Sequence, residues 1–399
     1  MEKEKLWTKE FLLANGIQFG VNLGYFMLYS TIGIYTRGLT SVEFYVGLVT
    51  GIFTFASLLT RLVSGRLLER FPVKGILIFG VCLSLVASTG YLFSDSVTIL
   101  LCMRIANGLG YGLSSAAIAT IVSSMLPPRR LLEGLGYSMM FFTLCGAVGP
   151  SLALNLSHSD AQQFGKVFIV TVLSTVLTAV LVFFLQRGQK QSPKETNGTS
   201  NDEKNLQHSF TLATGIFLVL TFLLAFGQSA VVACLNLYAL DNGMGNLSLF
   251  FIIFAVANFL VRLFMNPILQ VLSERVVFIG ITVLLIGVYL GIFFADSAGW
   301  LYVLAVPFGA AMGFYYPLLT TKTIKTISKL RQGTSNSIYL ASEDMGFFVG
   351  AIFWSAVAGV LGGYRQIYFI AACLAVCMLL IVLFYPAILK RRGVKEDVW

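Results

Sequence analysis

Glu343 and Asp344 stand side by side in the segment RQGTSNSIYLASEDMGFFVGAIFW, which is otherwise uncharged after its first residue. A charge at the middle of an apolar helix costs roughly 2.5–3.5 kcal/mol on insertion scales, so each such residue needs a reason. Arg61, Arg104 and Arg262 lie in apolar surroundings of the same kind. On a helix, Asn336, Tyr339, Glu343, Gly346 and Gly350 form one stripe, and Asp344 turns about 100° away from it. Three roles are open to the acids. One of them can take up a proton from one face of a membrane and release it at the other, with Arg104 as a coupling partner. They can form structural ion pairs with Arg61 or Arg262, because buried charges usually pair. Or one can touch a substrate directly.

A second set of residues is polar or aromatic but uncharged. Asn15, Gln18, Asn22, Tyr25 and Tyr29 recur at helical spacing near the N-terminus. With Gln228, Asn236 and Tyr238, with Asn107 and Tyr111 next to Arg104, with Tyr315 and Tyr316, and with Asn336 and Tyr339, they can line a cavity for amphipathic or aromatic molecules. The competing reading for any single Asn is a hydrogen bond between helices.

These residues must be carried by membrane-spanning helices. The chain of 399 residues is 57% hydrophobic and only 11% charged, and it has 34 phenylalanines. A soluble chain carries about a quarter charged residues. Apolar runs long enough for a ~30 Å hydrocarbon core fall at about 10–34, 44–64, 74–93, 97–125, 133–157, 164–186, 209–236, 247–270, 276–295, 299–322, 332–361 and 365–388. They are called spans 1 to 12 in order. Helices are expected because lipid offers the backbone no hydrogen bonds. The first run is too long for a cleaved leader and reads as retained. Twelve spans put both termini on one side, with twenty-one Lys and Arg there and only Arg37, Lys166 and Arg365 on the other. The positive-inside rule makes the charge-rich side cytoplasmic. The net charge of +9 is then a matter of topology and not a sign of nucleic-acid binding.

The chain also repeats itself. Residues 201 apart coincide: Arg61 with Arg262, Gly108 with Gly309, Gly112 with Gly313, Arg130 with Arg331, Gly149 with Gly350. The long polar stretch RGQKQSPKETNGTSNDEKNLQH reads as a flexible linker. The expected organisation is a six-helix bundle at 1–186, a cytoplasmic linker at 187–208 and a second bundle at 209–399. Two such halves about a shared site are a plan of secondary transporters.

Between spans 2 and 3 lies GRLLERFPVKG, residues 65–75. It reads as a short cytoplasmic loop, and Gly65, Leu67, Glu69, Arg70 and Lys74 resemble the loop pattern of the major facilitator superfamily. Glu69, Pro72 and Val73 depart from that pattern. MRIANGLGYG in span 4, with Arg104, Gly108 and Gly112, is similar to the family's Arg-x-x-x-Gly element. CGAVGPSLA in span 5 resembles its antiporter motif around Gly149–Pro150, with Cys145 and Ala153–Leu154 replacing glycines. The resemblance implies an all-α membrane protein of twelve transmembrane helices in two pseudo-symmetric six-helix bundles. It also implies a gating apparatus: Gly65 for close helix approach, Glu69 and Arg70 as a releasable latch, Arg61 and Arg262 at equivalent positions, and a bend at Gly149–Pro150.

Other chemistry is unsupported. Cys82, Cys102, Cys145, Cys234, Cys373 and Cys377 sit in apolar runs as buried small hydrophobes, and His158 and His208 are in loops. No metal set, nucleophile–base pair or nucleotide loop is visible, so neither an enzyme nor a cofactor is expected. The expectation is a monomeric, proton-coupled exporter of small amphipathic or drug-like molecules in a bacterial cytoplasmic membrane, its partners being substrate, protons and lipid. The alternatives are a dedicated exporter of a metabolite or metallophore, an importer of a sugar or organic anion, and a membrane sensor or scaffold that transports nothing.

Overall fold

The structure, a computed structural model, describes residues 7–127, 130–185, 212–326 and 332–391. The regular elements are α1 (Lys9–Tyr29), α2 (Ile32–Leu39), α3 (Glu43–Arg70), α4 (Val73–Tyr91), α5 (Val97–Met125), α6 (Leu131–Ser157), a 3-10 turn (Ala161–Gln163), α7 (Phe164–Phe184), α8 (Leu212–Asp241), α9 (Ser248–Val271), α10 (Glu274–Phe293), α11 (Ala298–Thr326), α12 (Gln332–Leu361) and α13 (Arg365–Arg391). Among the described residues, twelve helices are long and apolar enough to cross a membrane. Span 1 is α1, and each later span carries the label one higher. Local signals set the starts: Thr8, Ser96 and Ser273 cap α1, α5 and α10 by accepting from backbone N–H groups three residues on, which satisfies donors a helix start leaves open.

Three local expectations are corrected. The first apolar run is not one helix. Ser30 Oγ bonds Phe26 O (3.2 Å) and Thr31 Oγ1 bonds Met27 O (2.6 Å) at the break between α1 and α2. Hydroxyls that compete for backbone carbonyls favour such interruptions. The stretch expected as a loop at 65–75 is helical through Arg70, leaving only Phe71 and Pro72 between α3 and α4. Pro72 forces the residue before it out of helical geometry, and Phe71 is extended (φ −120°, ψ 153°). Gly65 is exposed, and among the described residues a Cβ there would meet nothing within 4 Å, so no described helix approaches it closely.

The cysteines divide. Cys145 and Cys234 are buried, but Cys82, Cys102, Cys373 and Cys377 are exposed. In lipid the outer face of a bundle is as apolar as its inside, so an apolar run does not reveal which side a cysteine occupies.

Cα packing divides the chain into two compact units, Met1–Lys194 with Asn246–Ile252, and Glu195–Gly245 with Ile253–Trp399. The linker at 187–208 lies outside the described residues. In the first unit α5 packs on α3 and α4, and α1 on α6 and α7; in the second α8 packs on α12, and α10 on α11 and α13.

The repeat recurs in the packing of each unit. A Cβ on Gly108 of α5 would collide with Phe53 O and lie 2.8 Å from Ala56 Cβ of α3. In the second unit a Cβ on Gly309 of α11 would collide with Phe254 O and lie 2.9 Å from Ala257 Cβ of α9. All these pairs are 201 residues apart. Lys74 Nζ donates to Leu185 O, and Arg275 Nη2 to Leu383 O (3.1 Å). Each tethers the start of a third helix to a backbone carbonyl of a sixth, Leu185 at the end of α7 and Leu383 within α13.

Gly108→Ala and Gly309→Ala should each destabilise the protein by about 1–3 kcal/mol, the usual penalty of overpacking. Gly65→Ala should be neutral or slightly stabilising, because Gly disfavours helix interiors. Thermal melting in detergent checks the contrast; equal behaviour of Gly65→Ala and Gly108→Ala would contradict the packing described.

Candidate functional site

Arg104 is fully enclosed in the first unit. Its Nε donates to Val49 O (3.0 Å) and its Nη2 to Thr50 O (3.3 Å) on α3, and the guanidinium lies 4.6 Å from the Phe53 ring centroid. Tyr91 of α4 is a further polar neighbour. A carbonyl already bonded within its helix keeps a second lone pair, so α3 can hold the arginine without unwinding. A desolvated cation over an aromatic face gains roughly 2 kcal/mol or more. Arg104 thus stitches α3 to α5 from inside.

Next to this clamp is a layer of aromatic and amide groups. Tyr25 of α1 stacks on Phe53 and Tyr111, with ring centroids 5.2 and 5.0 Å apart. Tyr111 donates from its hydroxyl to Asn22 Oδ1 (2.9 Å), while Asn22 Nδ2 donates to the Gln18 backbone oxygen (2.7 Å). Arg61 lies over the Tyr111 ring at 5.9 Å. The structure therefore brings together Gln18, Asn22, Tyr25, Tyr111 and Arg61. Asn15 is used differently: its Oδ1 accepts from Ser138 Oγ of α6 (2.7 Å). Asn107, Tyr25 and Tyr111 border a cavity of about 30 Å³ between α1, α4, α5 and α7. Its other polar walls are Ser84, Ser88, Ser114, Thr171, Thr175 and Thr178. The sequence reading passed over these hydroxyls, although Ser84/Ser88 and Thr171/Thr175/Thr178 recur at helical spacing in otherwise apolar runs.

The second unit holds the acids. Tyr339 of α12 is buried, within electrostatic reach of Glu343 one turn along the same helix and of Arg262 on α9, and it adjoins Thr320 of α11. Arg61, Arg262, Glu343 and Asp344 all have interaction partners in the structure. The two arginines that the repeat equates thus meet tyrosines from different places: Tyr111 on α5 for Arg61, Tyr339 on α12 for Arg262. Thr320 was not anticipated. Tyr316 donates from its hydroxyl to Gln228 Oε1.

Other candidates serve the packing. Tyr238 is fully buried and donates to Ala295 O (2.6 Å), which fastens α8 to the end of α10. Tyr315 is also fully buried, its hydroxyl 2.9 Å from Thr282 Oγ1 of α10. Asn236 is buried within α8. The Asn336 side chain lies outside the described residues. Gly149 lets α6 close on α1, where an added Cβ would lie 2.7 Å from Phe26 Cβ. Pro150 sits inside a helix that continues past it to Ser157. Glu69 and Arg70 are exposed at the end of α3. Lys322 of α11 pairs with Glu274 at the start of α10, an ion pair that spacing did not suggest. Among the described residues no His, Cys, Asp or Glu cluster could hold a metal.

Twelve apolar helices with charged and aromatic groups held inside their packing define a multi-pass membrane transporter. The family model for the Major Facilitator Superfamily matches residues 15–339 and 217–397; the chain belongs to that superfamily. It is 21% identical to the staphylopine export protein of Staphylococcus aureus over 87% of each chain. It is 25% identical to a homologue of the PmrA multidrug resistance efflux pump in Lactococcus lactis, again over 87% of each. The fold is similar to that of a bacterial homologue of the human lysosomal transporter Spinster, with a TM-score of 0.75 at 14% identity, covering 95% of this chain and 97% of that one.

Replacing Arg104 should lower stability whatever the substrate. Arg104→Met removes two charge-assisted bonds and the ring contact, and a loss of roughly 2–3 kcal/mol is expected. Arg104→Lys should be at least as damaging, because the charge stays buried while the two-pronged geometry is lost. Melting curves of the two variants check this; a lysine variant that melts with the parent would show that α3 does not hold the group through its fork.

Proposed function

We propose that the protein exports small amphipathic molecules across a bacterial cytoplasmic membrane in exchange for protons, by alternating access, as a monomer with both termini in the cytoplasm. The observation that carries this reading is the grouping on α12 of Tyr339 and Glu343 beside Arg262 of α9. An ionisable carboxyl held among a cation and a phenol inside an apolar bundle can alternate between a charged, paired state and a neutral, protonated one. Exchange between those states is what proton coupling needs, because the pairing of Arg262 then changes with the proton. Asp344, on the adjacent face, either shares the proton or anchors the helix. Around Tyr25 and Tyr111 the first unit offers aromatic faces and amides, a surface suited to uncharged or weakly polar amphipathic compounds.

Export is favoured over import by the relatives, one named for staphylopine export and one for multidrug efflux. The first of these also supports a narrower second reading, a dedicated exporter of a single metabolite. Each proton moving down 100 mV supplies about 2.3 kcal/mol, which limits the gradient a one-proton cycle can build.

The test uses purified protein in liposomes with an imposed pH gradient and ethidium as the transported probe. Uphill ethidium movement that collapses with the gradient is expected. Glu343→Gln, Asp344→Asn or both should abolish uphill movement while sparing downhill exchange. Unaltered uphill transport in both variants would remove the acids from coupling, and movement indifferent to the gradient would remove the proton. A dedicated exporter would leave ethidium behind and still alter the metabolites retained by expressing cells.

A further inference from the structure

The small cavity of the first unit has a chemistry of its own. It is bordered by α1, α4, α5 and α7 and has a volume of about 30 Å³. A water needs about 10–15 Å³ measured this way, so the space suits one or two waters. Among its walls, Ser88 and Ser114 are each about 1% exposed, and neither hydroxyl has a hydrogen-bond partner among the described residues. A buried hydroxyl without a partner is expensive in a bilayer, where the medium offers none.

The other walls show what guest would fit. Thr171 Oγ1 donates to Val167 O (2.9 Å), Thr175 Oγ1 to Thr171 O (2.8 Å) and Thr178 Oγ1 to Ser174 O (2.8 Å). Tyr111 has given its proton to Asn22. Their protons are committed, and what these groups can still offer is lone pairs. The cavity thus offers acceptors from threonine and tyrosine, N–H donors from the Asn107 amide, and the buried Ser88 and Ser114 hydroxyls, which can turn either way. A guest that both donates and accepts protons suits these walls. A metal cation would meet neutral oxygens alone, with no carboxylate in the walls and the buried Arg104 one turn from Asn107 on the same helix.

We propose that this cavity is a hydration site: one or two ordered waters donate to the threonine and tyrosine oxygens, accept from Ser88 and Ser114, and join α4, α5 and α7 to α1 inside the first unit. The inference is independent of the transported substrate and of proton coupling.

Alanine substitution distinguishes a wet site from a dry one by sign. In a wet site Ser88→Ala and Ser114→Ala each remove a water contact, and the melting temperature of the full-length protein in detergent should fall by about 2–4 °C. In a dry one the same changes delete an unpaired buried hydroxyl, and the melting temperature should hold or rise, which would overturn the proposal. A high-resolution density map should show a solvent peak within hydrogen-bonding distance of Ser88 Oγ and Ser114 Oγ; an empty cavity there would equally refute it. Replacing sodium chloride by choline chloride should leave the melting temperature unchanged. Stabilisation by sodium that disappears in the double alanine variant would make the guest a cation and overturn the assignment to water.

Discussion

Hydrocarbon offers no hydrogen bonds, so a polar group carried into the membrane must find its partner within the protein or in water held there. Arg104 shows the constraint at work: its Nε and Nη2 are bonded, while Nη1 is buried without a hydrogen-bond partner among the described residues. No acid is among the contacts that hold it; two backbone carbonyls and a ring do so. That arrangement requires α3 and α5 to run close together at Phe53, and the closeness in turn requires Gly108 to have no side chain. The clamp and the glycine are two halves of one demand. The hydroxyls obey the same rule at lower stakes. Thr50, Thr171 and Thr178 bond carbonyls one turn back, which silences their protons and leaves their oxygens as the polar surface of the interior.

Internal duplication explains which contacts come in pairs. Gly108 with Phe53 and Gly309 with Phe254 repeat the same crossing at the same offset, and Lys74 and Arg275 each reach a backbone carbonyl on the sixth long helix of their unit. These are contacts of backbone with backbone, or of a long cation with a carbonyl, and they depend on helix geometry alone. Where function needs the halves to differ, the pairing breaks. Arg61 lies on a tyrosine of α5, in a unit whose inward groups among the described residues include Arg104, amides, hydroxyls and rings. Arg262 lies near a tyrosine of α12 that also neighbours Glu343. One architecture thus carries an aromatic and amide surface in one unit and an ionisable cluster in the other.

A transporter must change shape without letting a charge meet lipid. The groups proposed for coupling sit one helical turn apart on α12, so a small movement of that helix changes their distances to α9 and α11 together. The small hydroxyl-walled cavity of the first unit offers a different tolerance. Contacts made through water can be re-formed after a shift, whereas a tight crossing such as Gly108 on Phe53 cannot slide.

From the sequence alone the membrane, the helical class, the number of spans, the internal repeat and the superfamily could be read. Each follows from run length, charge position and short glycine patterns, which hydrocarbon thickness and backbone chemistry translate directly into structure. The polar stripes were legible as stripes, and Tyr339 with Glu343 on α12, or Asn22 with Tyr25 on α1, stand where helical spacing puts them. The direction and partner of each side chain were decided only by the tertiary structure, because periodicity does not say which neighbouring helix faces a stripe. Tyr238 and Tyr315 read like cavity residues yet fasten α10, and Arg104 proved to be enclosed. A helix can also outlast the charges that appear to end it, as α3 does through Arg70 until Pro72 stops it. The hydroxyl-walled cavity was the least visible of all, since its walls come from four helices and no single segment holds enough of them to mark it.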